Sequence, residues 1–494
     1  SEMCIRDRSG SDNLGIDHYE VRLDAGSWID VGTDMSYTFV GVSDGDHNVT
    51  VKAVDKAGNT AYDIVIFTVD TTPPSITITS PTEGQWFNVE NVTVEWTADD
   101  ATSGIDHYEV RCYNSTWDSG WIDVGLNTNY TFTNLADGTY TVEVIAYDRA
   151  GNNATDSSAF GIDTEPPTVS ITSPSEGEYV ASSTVTVSWT GGDATSGIDH
   201  YEVRLNGSST TGDLYDSGWI DVGTSTTYQF VGIQDGSYVA YVKAIDLAGN
   251  VKVDSVSFYV DTEAPSITIT APANDSYHAS PNVTVNWTAS DNLNLDHYDV
   301  YLDGSLNTTI STSGTSDTQS YTFVNLSEGR HNVTIVAYDS AGNHASDCVI
   351  FYVDLTAPSI TITAPANDSY HASPNVTVNW TASDNLGLDY YEVYLDGVLN
   401  TTISTSGTSD TQSYTFTGLS EGRHNVSVVA YDLAGNYGSD IVFFYVDTTA
   451  PSITITAPAN DTYFAVATVT VNWTASDNLG LDYYEVYLDG VLNT

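Results

Sequence analysis

The chain has 494 residues, more than one compact domain holds, and its 66 Asp+Glu against 12 Lys+Arg give a formal charge of −54. So base-poor a sequence offers no Lys/Arg footprint for nucleic acid or an anionic membrane, and no run of about 18 apolar residues is present to span a bilayer. A carboxylate-rich surface suits a soluble outer protein in salty or calcium-bearing medium.

In chain order, the opening string "SEMCIRDR" (residues 1–8) does not share the pattern of the remaining chain, resembles translated adapter read-through, and is set aside. Self-similarity organises the rest. Trp96, Trp189, Trp287, Trp380 and Trp473 recur in strings like "VTVEWTA", at steps of 93, 98, 93 and 93 residues. Asp55, Asp148, Asp246, Asp339 and Asp432 recur with the same steps, each opening D-x-A-G-N. These periods predict a partial repeat lacking its first strands at 9–72 and complete repeats at 73–165, 166–263, 264–356 and 357–449. A truncated repeat occupies 450–494, so the chain reads as an excerpt of a longer protein. Repeats 264–356 and 357–449 are nearly identical, which implies a recent duplication.

Within 73–165 the predicted strands are "SITITSP", "VTVEWTA", "DHYEVRC", "GWIDVG", "NYTFTNL", "TYTVEVIAY" and "SSAFGID". Apolar residues alternate along them: Val92, Val94 and Trp96; Tyr108, Val110 and Cys112; Tyr140, Val142, Val144 and Ala146. Period two with frequent turn signals predicts antiparallel strands with one wet face, and no segment has helical periodicity. The fold class is therefore all-β, a tandem array of seven-stranded antiparallel sandwiches. Of the three cysteines, Cys112 and Cys348 fall in different repeats, so no disulfide forms within a repeat, and both are expected inward and buried.

These residues resemble the fibronectin type III and immunoglobulin-like superfamily: Trp on the second strand, Tyr on the third, and L-x-D-G-x-Y-x-V-x-V leading into the sixth. Leu135, Gly138 and Tyr140 resemble its tyrosine corner. Tyr238 holds that position too, but His47, His331 and His424 stand there in the other copies, where a histidine fills the role only partly. Openings such as "DTTPPSITITSP", together with D-x-A-G-N, resemble the Ig-like repeats of archaeal and bacterial surface proteins. The resemblance is specific for architecture and weak for function. Each junction is short and holds one or two prolines without a Gly/Ser spacer, so a stiff rod is expected.

Catalytic motifs are missing: there is no nucleophile elbow, no H-E-x-x-H, no Gly-rich phosphate loop and no Cys/His cluster. The histidines of "DHYE" and "DHYD" (His18, His107, His200, His297) are expected as outward surface residues, since Tyr390 and Tyr483 replace them elsewhere. The acidic loops are more informative. In this topology the linker Asp, the loop after the second strand and the D-x-A-G-N loop converge at one pole. That gives three candidate sets for Ca²⁺, which takes hard oxygen ligands. They are Asp163, Asp193, Asp199, Asp246 and Asn250; Asp261, Asp291, Asp296, Asp339 and Asn343; and Asp354, Asp384, Asp389, Asp432 and Asn436. The competing reading of D-x-A-G-N is a plain turn, with an Asx bond from Asp, positive φ at Gly and a left-handed Asn.

Nineteen sites match N-x-[ST], among them Asn91, Asn282, Asn286, Asn375 and Asn379, which are candidate glycosylation sites as well as ordinary strand and turn residues. The expected function is a non-catalytic, extracellular stalk or adhesive segment of a cell-surface protein. Its partners would be surface proteins, glycans or further copies of itself. The alternatives are the accessory tail of a secreted hydrolase and a surface-layer component.

Overall fold

The computed structural model describes residues 15–493, together with the backbone of Met3–Cys4. Most of the opening string at 1–8 thus lies outside the described residues. The chain divides into two compact units, Ser1–Thr262 and Glu263–Thr494. No helix occurs among the described residues.

The first unit begins with a four-stranded antiparallel sheet of Ile16–Leu23, Ile29–Asp30, Gly45–Asp55 and Thr60–Val69. Two complete sandwiches come next. In the first, Ser75–Ser80, Val92–Asp99 and Asn129–Phe132 form a three-stranded sheet. The facing sheet runs Ile122–Gly125, Ile105–Tyr113, Gly138–Asp148, Asn153–Ile162 and Gln85–Phe87. The second sandwich, 168–260, repeats this plan with a longer third strand, Ile198–Ser209, hairpinned to Leu214–Asp216. The second unit holds two further sandwiches, 266–353 and 359–446, and then the strands Ser452–Ala457 and Asn472–Ser476.

All seven strands read from the repeat are present. The sandwiches are not wholly antiparallel, however. An eighth strand, Gln85–Phe87, pairs parallel with Asn153–Ile162, as Ser276–His278 does with His344–Val353. After the Ser80–Pro81 cis peptide the chain leaves one sheet and joins the other. Three residues are too few to carry a period, which hid this strand from pattern reading.

Alternation builds the core. Val92, Val94, Trp96, Tyr108, Val110 and Cys112 are all buried. Trp96 meets Tyr108 edge to face at 5.7 Å across the two sheets, and Trp380 meets Tyr391 at 5.5 Å. Each buried aliphatic side chain stabilises by about 1.5–3 kcal/mol, and aromatic pairs add about 0.5–1.5 kcal/mol. Cys348 departs from expectation: it is exposed, because Val349, Phe351 and Val353 take the core face of its strand.

A candidate cation site at the joints

Within each unit a linker is fastened at both ends. Behind it, the Thr164 amide and hydroxyl donate to Asp137 of the preceding sandwich, at 3.0 and 3.1 Å. In the second unit, Leu355 N–H and the Thr356 hydroxyl donate to Glu328, both at 2.7 Å. Ahead of it, the Asn250 amide nitrogen donates to the Asp163 carbonyl at 2.8 Å, and the Asn436 amide nitrogen to that of Asp354 at 2.9 Å. The asparagine of D-x-A-G-N therefore acts through its side chain. Positive φ falls on the preceding glycine, 90° at both Gly249 and Gly435, and not on the asparagine.

At the joints, acidic residues converge from three segments. Asp163, Asp193 and Asp246 bring carboxylate oxygens within 4.8 Å of one another, as do Asp354, Asp384 and Asp432. Asp70, Asp100 and Asp148 form another such group, which the sequence reading did not name. Its signal was available, since Asp148 opens a D-x-A-G-N string like the others. Asp199, Asp296 and Asp389 stand outside these groups. Each is the extra residue of a β-bulge at the start of its strand and is exposed, and Asp199 and Asp296 turn to the Nδ1 of His200 and His297 at 2.7 Å. Asp261, closing the first unit, is buried and donates its N–H to the Val180 carbonyl at 3.0 Å.

The groups differ in how far the protein itself satisfies them. In the first unit, the "DATSG" loop aims N–H groups at the carboxylates: Ser196 N–H donates to Asp163 Oδ2 at 3.0 Å, and the amides of Thr195, Ser196 and Gly197 all donate to Asp193 Oδ1 at 2.8–2.9 Å. Burial opposes the charge on Asp193, but those amides outweigh it and hold the carboxyl below its ordinary range. In the second unit, "DNLGL" supplies fewer donors. Leu386 and Gly387 amides reach only Asp384 Oδ2, at 2.8 and 2.7 Å. Asp354 Oδ2 and Asp384 Oδ1 are buried without a hydrogen-bond partner among the described residues. Burial, then the Asp384 charge, push the Asp354 carboxyl up to about 6. Asp432 is held by its own turn, with Oδ1 accepting from Ala434 and Asn436 amides at 2.9 and 2.8 Å. In the sandwich before it, Asp291 likewise leaves Oδ1 buried and unpartnered among the described residues, while Asp339 Oδ1 accepts from Ala341 and Asn343 amides.

The five sequons named from the sequence fall in two places. Asn91, Asn282 and Asn375 are exposed, and each Oδ1 accepts a turn amide, from Asn134, Asn325 and Gly418 at 3.0–3.1 Å. Asn286 and Asn379 are half-buried on the outer face of the three-stranded sheet, opposite Ser320 and Ser413. The outward histidines stack on neighbouring rings, His107 on Tyr147 and His297 on Tyr338, at 4.6 and 4.5 Å.

The repeats match known proteins along most of the chain. The bacterial Ig domain family matches residues 74–144, 167–242, 265–335, 358–428 and 451–494, and a bacterial Ig-like domain family of group 3 matches 316–385. A Kelch domain-containing protein of Sulfurisphaera tokodaii is 26% identical over 397 residues, covering 78% of this chain and 48% of that protein. Chitinase A1 of Niallia circulans is 34% identical over 195 residues, covering 36% of this chain and 25% of that protein. The chain thus spans about half, or less, of these relatives. Among solved structures, a tetra-tandem repeat from the extending region of a large adhesion protein has 24% identity and a TM-score of 0.29, covering 76% of this chain and 100% of that one. By its repeated family matches, this chain belongs to the bacterial Ig domain family.

Proposed function

We propose that the chain is a non-catalytic, extracellular stalk or spacer segment of a cell-surface protein, with joints stiffened by a divalent cation. The observation that carries this reading is the doubly fastened linker. Asp137 binds Thr164 from behind, while Ser196 and Asn250 bind Asp163 from ahead. A linker tied to both neighbours loses swivel freedom, which is the property a spacer needs. Spin labels at exposed Thr139→Cys and Ser237→Cys, in a chain with its native cysteines replaced by serine, test it across one joint. A narrow distance distribution that broadens on Asp137→Ala supports the proposal. A broad distribution indifferent to that change sinks it.

Calcium fits the second-unit cluster of Asp354, Asp384 and Asp432, in which Asp354 Oδ2 and Asp384 Oδ1 lack donors among the described residues. A bound dication would supply the missing positive charge there. With calcium at ten times a dissociation constant of about 0.1–1 mM, the gain is about 1.4 kcal/mol per joint. The joint would stiffen without depending on the ion to fold. Melting this chain in calcium and in EDTA checks it, and identical curves with identical label distances argue against a cation. Glycans at the exposed sequons would suit the same surface location, as intact mass of native material would reveal.

The match to chitinase A1 favours a second reading, in which these repeats space a hydrolase domain encoded beyond this sequence. Recovering the full gene separates the two: an anchoring segment favours the stalk, a catalytic domain the accessory tail.

A further inference from the structure

The corner ahead of the sixth strand exists in two chemically distinct versions. In the two complete sandwiches of the first unit a tyrosine hydroxyl donates to a backbone carbonyl four residues earlier: Tyr140 to Ala136 and Tyr238 to Gln234, both at 2.9 Å. A ring from the hairpin after the third strand packs edge-on against each, Trp117 at 6.0 Å and Tyr215 at 6.2 Å. Where histidine replaces tyrosine, the corner bond still forms. His424 Nε2 lies 2.8 Å from the Ser420 carbonyl, His331 Nε2 2.9 Å from that of Ser327, and His47 Nε2 2.7 Å from that of Ser43. The role that a histidine was expected to fill only partly is filled, and a second bond is added. Nδ1 faces a carboxylate: Asp396 at 2.8 Å, Asp303 at 2.9 Å, Asp24 at 2.8 Å.

The replacements go together in every copy. Histidine comes with aspartate at the hairpin turn, and tyrosine comes with an aromatic. The aspartate is fixed in place from both sides. It takes positive φ in its turn, 48° at Asp396 and 50° at Asp303, and its other oxygen accepts the amide of the residue after the histidine, Asn425 and Asn332, at 2.9 Å. The aspartate N–H donates back to the carbonyl of that same asparagine, at 2.9 and 2.8 Å.

A carbonyl and a carboxylate only accept. A neutral imidazole carries one N–H and cannot serve both; an imidazolium carries two and can. We infer that these histidine corners are proton-operated clasps: the imidazolium ties the hairpin after the third strand to the sixth strand, and loss of its proton releases one of the two ties. The tyrosine corners, made by a group that titrates far higher, are not proton-operated. Few charges face these rings. Asp396 faces His424, Asp303 faces His331, and Asp24 with the more distant Asp46 faces His47, while Phe444, Phe351 and Phe67 pack beside them. For His424, burial opposes the charge, but the Ser420 carbonyl and Asp396 outweigh it and leave its pKa raised. For His47, Asp24 and the Ser43 carbonyl raise it.

The sign comes from linkage. A raised folded-state pKa gives stability that is fully present below the ordinary histidine value of about 6.5 and is lost as pH rises through the folded value. The test uses the full chain labelled with ¹⁵N-histidine. At pH 7, His47 and His424 should show both ring nitrogens protonated. Hydrogen exchange at Asn425 and Asp396, corrected for intrinsic rate, should lose protection between pH 6 and pH 9 by about tenfold per unit of pKa elevation. Strand Gly138–Asp148 should not change. Asp396→Asn should abolish the dependence at His424, and His424→Tyr should restore a pH-independent corner. Neutral corner rings at pH 7, or charged rings whose loss of charge leaves exchange unchanged, would overturn the inference.

Discussion

Tyr140 buries its ring and keeps one polar atom satisfied, its hydroxyl on the Ala136 carbonyl. Tyr140→Phe should therefore cost about 1 kcal/mol, seen as faster hydrogen exchange along Gly138–Asp148, with the core packing intact. The cysteines make a sharper contrast. Burial pushes the Cys112 thiol up to about 12, whereas Cys348 is exposed. In a Cys4→Ser background, a maleimide should modify Cys348 in the folded chain and reach Cys112 only on unfolding. Labelling of both at equal rates would contradict the assigned faces. Sequence reading put Cys112 on its face correctly because "DHYEVRC" alternates cleanly. It misplaced Cys348 because "CVIFYV" is a continuous apolar run that fits either phase. The corner clasp was beyond pattern reading altogether, since Asp396 lies 28 residues from His424.

At the scale of elements, the first strand of each sandwich is pinned to the opposite sheet by a side chain. Ile78 N–H donates to Asp156 at 2.7 Å, Ile171 to Asp254 at 2.8 Å, Ile269 to Asp347 at 2.7 Å and Ile362 to Asp440 at 2.8 Å. Asp440→Ala leaves a strand amide without its acceptor and should cost about 1–3 kcal/mol, localised by exchange to Ser359–Ala364. The joints respond to pH in a definable direction. Asp354, raised to about 6, is a penalty on the ionised fold of about 3 kcal/mol that is absent below pH 4 and complete above pH 6. In EDTA, Asp354→Asn should thus be more stable than the wild type at pH 7 and no more stable at pH 4, as thermal melts would show; calcium should narrow the gap. Strand pattern and topology made this convergence legible from the sequence, because three loops at one pole are fixed by chain order. Which oxygens lack donors was not legible. That depends on whether the loop after the second strand reads "DATSG" or "DNLGL" and on where its amides then point.

Across the whole molecule, each complete sandwich has its own buried cluster with no shared member, built around Trp96, Trp189, Trp287 and Trp380. The leading sheet is poorer, with a buried cluster of only Tyr19, Val21, Val49 and Val51 among the described residues, and with Tyr62, Ile64 and Ile66 exposed. Unfolding should therefore proceed in steps rather than as one transition. Exchange should find residues 45–69 opening first, and a single calorimetric transition would count against independent cores. Near-identical repeats in one chain also invite misalignment when the gene is copied or recombined. The paired corners set a rule for which products survive. An exchange that falls in a linker moves a complete set of partners. One that falls between positions 396 and 424 could leave a carboxylate facing a tyrosine, or a histidine without its counter-charge. The hairpin and corner residues therefore travel as one heritable unit wherever an exchange between the two kinds of repeat falls outside that interval.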